Sequence, residues 1–407
     1  MKIAMFSDNF YPEMSGISDS IIESARELAR LGHQVDFYAP KYSPKDFAMS
    51  NVSGEELDLG ENIKIHRFFS FRYPSPTRQG RMVIPTFLRW LAMRKNKPDI
   101  IHVHHFFGVG LEALAAAKFL KVPLVGTNHT PITEFLKYGP AKNKFIEKLA
   151  IRYVSWFYNH CDFVSAPCEA ILKEMKTNKF RKPCQVLSNP VDIANFYPAA
   201  SSEEKNEIKK EFRLSEFMVL YAGRLGEEKH VDVLIRAIAI AAKKINNISF
   251  AITGHGAAEE SLKKLAKELQ IEDKVKFFGT LSADKHAQIS RAADVFAIAS
   301  TAEMQSLSLM KAMASGLPAI GVNAWALPEY INETKGFVLE PGDFRGIAEK
   351  ILFLFDNPEK RKTLGQGGLE LVRKFSPENI VAEWNDIYRK ISAKSRQKIE
   401  TAESLVG

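Results

Sequence analysis

Short apolar runs alternate with amphipathic stretches along the whole chain. In the first half, apolar residues recur at helical spacing over residues 17–31, which predicts a helix there. Apolar runs typical of buried strands lie at residues 2–7, 34–38, 99–104, 123–126 and 162–166. Because strands and helices alternate, we predict a parallel sheet with right-handed crossover connections.

The same alternation begins again in the second half of the chain. A helix is predicted over residues 230–243. Strands are predicted at residues 218–222, 249–253, 275–278, 295–297 and 318–321. A chain of 407 residues is long enough for two such domains. We therefore predict an α/β fold with two Rossmann-like, doubly wound domains.

The segment at residues 198–211 is small, polar and charged, which favours a domain boundary there. We assign residues 1–200 to an N-terminal domain and residues 201–376 to a C-terminal domain. Residues 377–407 are predicted to form a last helix, which can pack on either domain, and a tail that frays after Lys394. Doubly wound sheets bind ligands at the carboxyl ends of their strands, so we expect the chemistry in those loops, on a cleft between the domains.

The composition is that of an ordinary globular protein, with 45% hydrophobic and 26% charged residues. The three cysteines include no CxxC pair, which favours a reducing compartment and gives no sign of a structural zinc site. No uncharged apolar run is long enough to predict a transmembrane helix, and the first apolar stretch is too short for a signal peptide. We therefore expect a cytoplasmic protein.

The positive charge is concentrated in the first half. Residues 1–200 contain 26 Lys and Arg against 19 Asp and Glu, whereas residues 201–407 contain 30 against 29. The segment at residues 67–97 has no acidic residue and eight basic ones: Arg67, Arg72, Arg78, Arg81, Arg89, Arg94, Lys95 and Lys97. Such a block indicates an anionic partner, which leaves nucleic acid, an anionic membrane and a phosphorylated ligand open.

Two positions of the first half are candidates for ligand binding. Gly16 follows the first strand at the start of a helix, where backbone N–H groups can approach a phosphate. His129 follows a buried strand, where it can contact a ligand or titrate near neutral pH. A simple turn glycine and a structural histidine are the alternatives. His102 and His104 face the same way on a strand, but no carboxylate or cysteine nearby completes a metal site.

Basic and acidic candidates follow the strands of the second half. Gly223, Arg224 and Lys229 precede a helix, and a guanidinium with an ammonium there suits a diphosphate, although a surface salt bridge is the alternative. Glu303 is expected to accept hydrogen bonds from ligand hydroxyls. Two further features would approach a ligand through the backbone: the turn at Gly254 and the helix start formed by Met304, Gln305, Ser306 and Leu307.

Ordered motifs over nearly the whole chain resemble the retaining glycosyltransferases of the fourth family, which have the GT-B fold. The motifs include SDNFYPEMSGIS, PDIIHVHHFFGVG, VPLVGTNHT, SNPVDIANFYP, YAGRLGEEKHVDVLIRA, TGHGAAEESLKKLA and STAEMQSLSLMKAMASGLPAIG. Within that family the chain is similar to bacterial monoglucosyl-diacylglycerol synthases and phosphatidylinositol mannosyltransferases. The resemblance implies a nucleotide-sugar donor, namely a UDP-sugar of the UDP-glucose type, and neither a metal nor another cofactor.

The resemblance also implies roles for the candidate residues. Gly16 would approach the donor diphosphate, which Arg224 and Lys229 would neutralise as it leaves. His129 would contact the donor sugar and Glu303 would hold its hydroxyl groups. Gly223, Gly254 and the residues of the 304–307 segment would line the donor. Since no side chain is placed as a nucleophile, retention would follow from attack by the acceptor hydroxyl on the face that the diphosphate leaves.

Lys311 departs from the family pattern, which has a second Glu at this position that accepts hydrogen bonds from the ribose. An ammonium has three donors and no acceptor, so it cannot replace that Glu. Loss of one charge-assisted contact is worth about 1.5–3 kcal/mol, a ten- to hundredfold effect. We expect Lys311 to contact a phosphate in an altered nucleotide site, or to mark an inactive enzyme.

The segment at residues 142–160 is helical in pattern and carries a basic row formed by Lys144, Lys148 and Arg152 beside aromatic residues. This mixture is typical of a helix that lies on an anionic membrane, and Arg81 and Arg89 of the basic segment are assigned to the same surface. An ordinary buried helix with a solvated basic edge is the alternative. Nucleic acid is not favoured, because no nucleic-acid motif is present.

These observations favour a peripheral membrane hexosyltransferase, at the cytoplasmic face, that acts on a lipid acceptor such as diacylglycerol. Three alternatives remain open at this point. One is a soluble transferase that acts on a sugar or small metabolite, another is a degenerate GT-B binding module, and the third is a sugar-nucleotide epimerase of the same fold.

Overall fold

A computed structural model describes residues 1–13, 15–49, 56–73, 79–130, 132–137 and 143–404. The chain divides into two compact units: unit 1 is Met1–Pro190 with Pro377–Gly407, and unit 2 is Val191–Ser376. The boundary thus precedes Val191 and not residue 201, because the intervening residues belong to unit 2. There the Val191 N–H donates to the Phe375 carbonyl at 2.8 Å.

Unit 1 is built on a seven-stranded parallel sheet in the order β3-β2-β1-β6-β7-β8-β9. A separate antiparallel hairpin pairs β4 with β5. The strands of the unit are β1 (Lys2–Phe6), β2 (Gln34–Pro40), β3 (Ile63–Phe68), β4 (Phe71–Arg72), β5 (Arg81–Met82), β6 (Ile100–Val103), β7 (Leu124–Thr127), β8 (Phe163–Ala166) and β9 (Cys184–Val186).

The helices of unit 1 connect these strands as parallel pairing requires. They are α1 (Gly16–Arg30), α2 (Pro44–Met49), α3 (Trp90–Met93), α4 (Gly108–Leu120), α5 (Ile132–Lys137), α6 (Lys144–Tyr158) and α7 (Glu169–Thr177), with a short 3₁₀ helix at Arg94–Asn96. All strands predicted for the first half are present. The pattern missed β3 and the β4–β5 hairpin, where charged residues interrupt the apolar runs, and it missed the three-residue strand β9.

Unit 2 contains a six-stranded parallel sheet in the order β12-β11-β10-β13-β14-β15. Its strands are β10 (Phe217–Ala222), β11 (Ile248–Thr253), β12 (Val275–Gly279), β13 (Val295–Ala297), β14 (Ala319–Val322) and β15 (Gly336–Leu339). Every residue of β10 and β11 is buried, as expected of strands covered by helices on both faces.

Helices cover this second sheet. They are α8 (Ser202–Glu211), α9 (Val231–Ala241), α10 (Glu259–Glu268), α11 (Ala283–Ala292), α12 (Leu307–Ala314), α13 (Leu327–Tyr330), α14 (Phe344–Asp356) and α15 (Pro358–Arg373), with a 3₁₀ helix at Glu227–Lys229. The two doubly wound sheets confirm the predicted fold class.

The last helix, α16 (Pro377–Ser404), groups with unit 1. It continues beyond Lys394, so the prediction that the tail frays there was wrong. The residues that follow include no Gly or Pro before Ser404 to end the helix. Within the part of the chain that the structure describes, no helix is long and apolar enough to cross a membrane.

Candidate functional site

The strand order of each sheet reverses at one place, between β1 and β6 in unit 1 and between β10 and β13 in unit 2. Loops that follow strands at such a reversal form the usual binding crevice of doubly wound sheets. In unit 2, the loop after β10 carries Arg224 and Lys229, and the loop after β13 carries Glu303. The donor-site candidates of unit 2 therefore lie where a ligand is expected.

Hydrogen bonds join the two loops of unit 2. The Thr301 N–H and the Ser300 hydroxyl donate to the Glu228 carbonyl at 3.3 and 3.4 Å. The Thr301 hydroxyl lies 3.3 Å from His230 Nε2. These contacts hold the loop that carries the cations against the loop that carries Glu303.

Both predicted cations form ion pairs with carboxylates. Lys229 Nζ lies 2.6 Å from Glu303 Oε1, and the two side chains are only 17% and 13% exposed. Arg224 Nη2 lies 2.5 Å from Glu228 Oε1. An anion that binds here must therefore compete with two carboxylates already in contact with the cations.

Two glycines shape the turn that holds Arg224. Gly254 has φ +105°, and a Cβ there would lie 2.1 Å from the Gly223 carbonyl oxygen, so no side chain fits. Gly223 has φ +153° and would bring a Cβ to 3.0 Å from the Tyr221 hydroxyl. Gly254 thus lets the second loop pack on the first, which is a structural role in addition to the predicted approach to a donor.

Helix α12 begins at Leu307, close to the predicted start. Ser306 is its N-cap, with a side chain that accepts from the Leu309 N–H at 3.3 Å. Met304, Gln305 and Ser306 are buried in unit 2. The Leu309 N–H of the first turn therefore already has an acceptor, the Ser306 hydroxyl.

Lys311 points to an aromatic ring in unit 2. Its Nζ lies 5.2 Å from the centre of the Phe196 ring, within the range of a cation–π contact. The His286 ring meets the same phenyl ring edge-on at 5.2 Å. Burial, with a smaller effect of the Lys311 charge, lowers the pKa of His286 to about 4. The sequence did not identify His286, since an isolated histidine in a helix carries no distinguishing pattern.

In unit 1, Gly16 is the first residue of α1, as predicted. The preceding Ser15 is the N-cap, with a hydroxyl that accepts from the Ser18 N–H at 3.1 Å. The same hydroxyl donates to Asn9 Oδ1 at 2.5 Å. The loop after β1 is therefore held against the start of the helix by its own polar side chains.

His129 lies in a buried cluster of imidazoles and not alone. Its Nε2 atom is 3.1 Å from Nδ1 of His104, and the His104 ring centre is 4.0 Å from that of His102. Burial lowers the pKa of His129 and His104 well below the usual range, and that of His102 to about 3. Of the two possibilities for His129, ligand contact and titration near neutral pH, the lowered pKa disfavours titration, because burial keeps the imidazole neutral.

A small cavity of unit 1 adjoins this cluster. Its lining combines apolar and uncharged polar side chains: Met5, Leu187, Pro190, Trp384, His102, His104, His129, Ser20, Ser24, Thr127, Ser188, Asn189 and Tyr388. Among the described residues, no group of three His, Cys, Asp or Glu is arranged to hold a metal ion.

Asp8 is a partly buried acid that sequence reasoning missed. Its Oδ1 atom accepts from the Val109 N–H at 2.9 Å, at the start of α4. Burial raises the pKa of Asp8 to about 6, although backbone N–H groups partly oppose the shift. Its position directly after the first strand could have identified Asp8 as a candidate, because such loops bind ligands in doubly wound folds.

Three arginines of the basic segment have carboxylate partners from elsewhere in unit 1. Arg81 forms an ion pair with the buried Asp46, and Arg67 one with Glu56 at 2.5 Å. Arg89 pairs with the buried Glu112 at 3.3 Å and lies over the Phe68 ring at 4.0 Å. The assignment of Arg81 and Arg89 to a membrane surface is therefore corrected, because both charges are neutralised within the fold. Arg78 lies outside the described residues.

Helix α6 presents the basic row that the sequence predicted. Lys144, Lys148 and Arg152 are all exposed, whereas only the last turns of the helix bury side chains. Phe145, Leu149 and Trp156 are 73%, 58% and 47% exposed beside them. A helix with exposed apolar residues next to its basic row does not fit the alternative of an ordinary buried helix. Lys142 lies outside the described residues.

Comparisons with known proteins cover both units. Residues 14–195 match the family described as Glycosyltransferase Family 4, and residues 202–370 match Glycosyl transferases group 1. The chain is 28% identical to an alpha-monoglucosyldiacylglycerol synthase of Streptococcus pneumoniae over 79% of this chain and 70% of that protein. It is 24% identical to the Acholeplasma laidlawii protein of the same name, over 98% of this chain and 99% of that protein.

A solved structure shares the fold over nearly the whole chain. Anabaena HepE in complex with UDP superimposes with a TM-score of 0.74 at 17% identity, over 96% of this chain and all of that one. The two family matches together span most of the sequence, and each falls largely on one of the two doubly wound sheets. The chain therefore belongs to glycosyltransferase family 4 and is a glycosyltransferase with the GT-B fold.

Proposed function

We propose that this protein transfers a hexose from a UDP-sugar to a hydroxyl group of a membrane lipid such as diacylglycerol, with retention of the anomeric configuration. The observation that carries the proposal is the convergence of Arg224, Lys229 and Glu303 at the strand reversal of unit 2. The UDP bound by HepE and the names of the two synthases support the donor and the acceptor class.

The donor diphosphate takes the place that carboxylates hold in the unliganded site. The Arg224 guanidinium offers a planar pair of donors and the Lys229 ammonium a compact charge, which together suit a pyrophosphate. As the bond from the sugar to the phosphate breaks, negative charge grows on the leaving group, and the two cations stabilise it. They supply charge where a divalent ion would otherwise serve, so we propose a reaction without metal.

Glu303 changes partner when the donor binds. In the free protein its carboxylate contacts Lys229, and in the complex it accepts hydrogen bonds from the sugar hydroxyls. This exchange places the sugar next to the cation that holds its leaving group. Reaction and sugar recognition therefore depend on the same pair of residues.

His129 acts as an uncharged group at the sugar. Because burial keeps its imidazole neutral, the ring can orient a hydroxyl group without adding positive charge beside the developing oxocarbenium. Its backbone carbonyl faces that positive charge in the proposed complex. The acceptor hydroxyl then attacks from the side on which the diphosphate departs, and retention follows.

The lipid acceptor is favoured over a soluble metabolite by the surface of α6. Its exposed basic row attracts anionic headgroups, and Phe145 and Leu149 beside it can enter the interface. We propose that α6 holds the enzyme at the cytoplasmic face of the membrane. A soluble acceptor would give these exposed apolar side chains no partner.

A donor screen tests the proposal directly. The full chain is incubated with UDP- and GDP-sugars and a bacterial lipid extract, nucleotide release is recorded, and the lipid products are analysed by mass spectrometry. We expect UDP release that requires lipid and a product heavier by one hexose. Release without lipid, with an isomerised sugar, would indicate an epimerase, and no release with any donor would indicate a binding module.

A further inference from the structure

Buried polar contacts connect the C-terminal helix to the imidazole cluster of unit 1. The Tyr388 hydroxyl of α16 lies 2.7 Å from His102 Nδ1, and His102 Nε2 lies 2.7 Å from the Thr127 hydroxyl. The Thr127 hydroxyl is in turn 2.7 Å from that of Ser165, its neighbour across β7 and β8. All four side chains are buried, so the chain of hydrogen bonds is shielded from bulk solvent.

His102 is therefore bonded at both ring nitrogens. Since burial keeps the ring neutral, one nitrogen donates and the other accepts. A phenol is a better donor than an aliphatic hydroxyl, so Tyr388 donates to Nδ1 and the ring proton resides on Nε2, from which it is donated to Thr127. Without the phenol hydroxyl, no other hydrogen bond of this ring among the described residues selects the Nε2–H tautomer.

His102 reaches His129 by two routes. The first is through the rings, because His102 lies against His104 at 4.0 Å and His104 Nδ1 contacts His129 Nε2 at 3.1 Å. The second is through the backbone, because Thr127 stands two residues before His129 and its hydroxyl is held by His102. A shift of the His102 ring would therefore displace both the His129 ring and the loop that carries it.

We propose that Tyr388 is a positioning residue for His129: through its hydroxyl, α16 fixes the tautomer of His102 and thereby the orientation of the His104–His129 pair. The proposal rests on the proposed function only for the role of His129 at the donor sugar. It gives the last helix of the chain a part in the reaction although Tyr388 touches no substrate.

The Tyr388→Phe variant removes the hydroxyl and keeps the ring that packs on Trp384 at 5.4 Å. Tyr158→Phe is the matched control for the His102 tautomer, because that buried tyrosine donates to the Thr127 carbonyl at 3.0 Å and its loss leaves both hydrogen bonds of the His102 ring in place. Thr127→Val breaks the series of hydrogen bonds on the other side of His102, because it removes the hydroxyl that His102 Nε2 contacts. It serves as a second variant should Tyr388→Phe fail to fold.

NMR of the full chain with ¹⁵N-labelled histidine reads the tautomers directly. We expect one tautomer of His102 in the native protein and in Tyr158→Phe, and a mixture of tautomers in Tyr388→Phe and Thr127→Val, with altered His104 and His129 resonances. Unchanged ring resonances in Tyr388→Phe, or the same change in Tyr158→Phe, would overturn the proposal.

Kinetics with the donor and acceptor found by the screen provide the second readout. We expect kcat of Tyr388→Phe to fall about tenfold, the worth of one buried hydrogen bond, with little change in KM for the donor. If no donor is turned over, the proposed function fails while the NMR result still decides the role of Tyr388. If turnover is found and the tautomers do not change, only the role of Tyr388 fails.

Discussion

Lys229 Nζ and Glu303 Oε1 lie 2.6 Å apart at the strand reversal of unit 2, in an ion pair that is mostly buried. The proposed function assigns the ammonium to the diphosphate and the carboxylate to the sugar. The two parts of the donor are therefore recognised by groups that neutralise each other in the free protein. Each must be released for the donor to bind.

Replacement of Glu303 by Gln is expected to separate nucleotide binding from sugar recognition. Without the carboxylate, Lys229 no longer has a competitor for the diphosphate, so UDP should bind about tenfold more tightly. The UDP-sugar should not bind more tightly, because the Glu303→Gln side chain no longer provides the carboxylate that holds the sugar hydroxyls. Turnover should fall at least a hundredfold. Calorimetry with UDP and with the UDP-sugar measures the two affinities, and the nucleotide-release assay measures turnover.

Lys229→Ala is the partner variant for that experiment. It should weaken UDP by ten- to hundredfold, since a charge-assisted contact is worth about 1.5–3 kcal/mol. If Glu303→Gln instead weakened UDP as much as Lys229→Ala does, the ion pair would not compete with the ligand.

Lys311→Glu should restore the ribose contact that the family resemblance places at this position. We expect a ten- to hundredfold gain in UDP affinity over the native chain, whereas the neutral Lys311→Gln should gain little. The gain should disappear with 2′,3′-dideoxy-UDP, which lacks the ribose hydroxyls. A gain that persists with the dideoxy nucleotide would place the new carboxylate away from the ribose.

The buried imidazoles make the stability of unit 1 depend on pH. The pKa of His102 is about 3 and that of His105 about 4 in the folded protein, against 6.5 for an ordinary histidine. Between pH 6.5 and 4 the unfolded chain binds protons that the folded chain does not. Stability should therefore fall with falling pH, by about 1.4 kcal/mol per pH unit for each such histidine.

Asp8 opposes this trend. With a pKa of about 6 when folded and 3.8 as the ordinary value, it binds its proton more readily in the folded protein, so it adds stability as the pH falls through that window. Urea unfolding followed by tryptophan fluorescence checks the net slope, and Trp90, Trp156 and Trp384 all belong to unit 1. His105→Gln should reduce the dependence of stability on pH by the contribution of one histidine, about 1.4 kcal/mol per pH unit. An unchanged slope would contradict the assignment.

The basic row of α6 should be needed for binding to anionic vesicles. Replacing Lys144, Lys148 and Arg152 by Ala removes about 1 kcal/mol for each residue near the surface, roughly a hundredfold in total. Co-sedimentation with phosphatidylglycerol vesicles at low salt measures the loss. Lys360→Ala with Lys362→Ala, two exposed residues of α15, is the control and should bind as the native chain does. Failure of the native chain to bind these vesicles would favour a soluble acceptor.

The parts of the site that lie close together in the sequence could be predicted. The turn from Gly223 to Lys229 and the start of α12 follow strands directly, so the strand pattern was enough to place them at one edge of the sheet. Local patterns of this kind are set by hydrophobic periodicity and by turn residues, and both can be read directly from the sequence.

Contacts between distant residues could not be predicted. Arg81 pairs with Asp46 from 35 positions earlier, and Tyr388 contacts His102 across 286 positions. The basic segment therefore seemed to need an external anion, although unit 1 supplies carboxylate partners for Arg67, Arg81 and Arg89. His129 seemed free to titrate because its burial depends on β6 and α16, which the local sequence does not reveal.

Calorimetry with UDP and UMP tests the central claim, that Arg224 and Lys229 bind the diphosphate of a nucleotide sugar. The native chain should bind UDP at least tenfold more tightly than UMP, and the Arg224→Ala, Lys229→Ala double variant should lose that preference. No heat with UDP or GDP, or equal affinity of the native chain for UDP and UMP, would contradict the account.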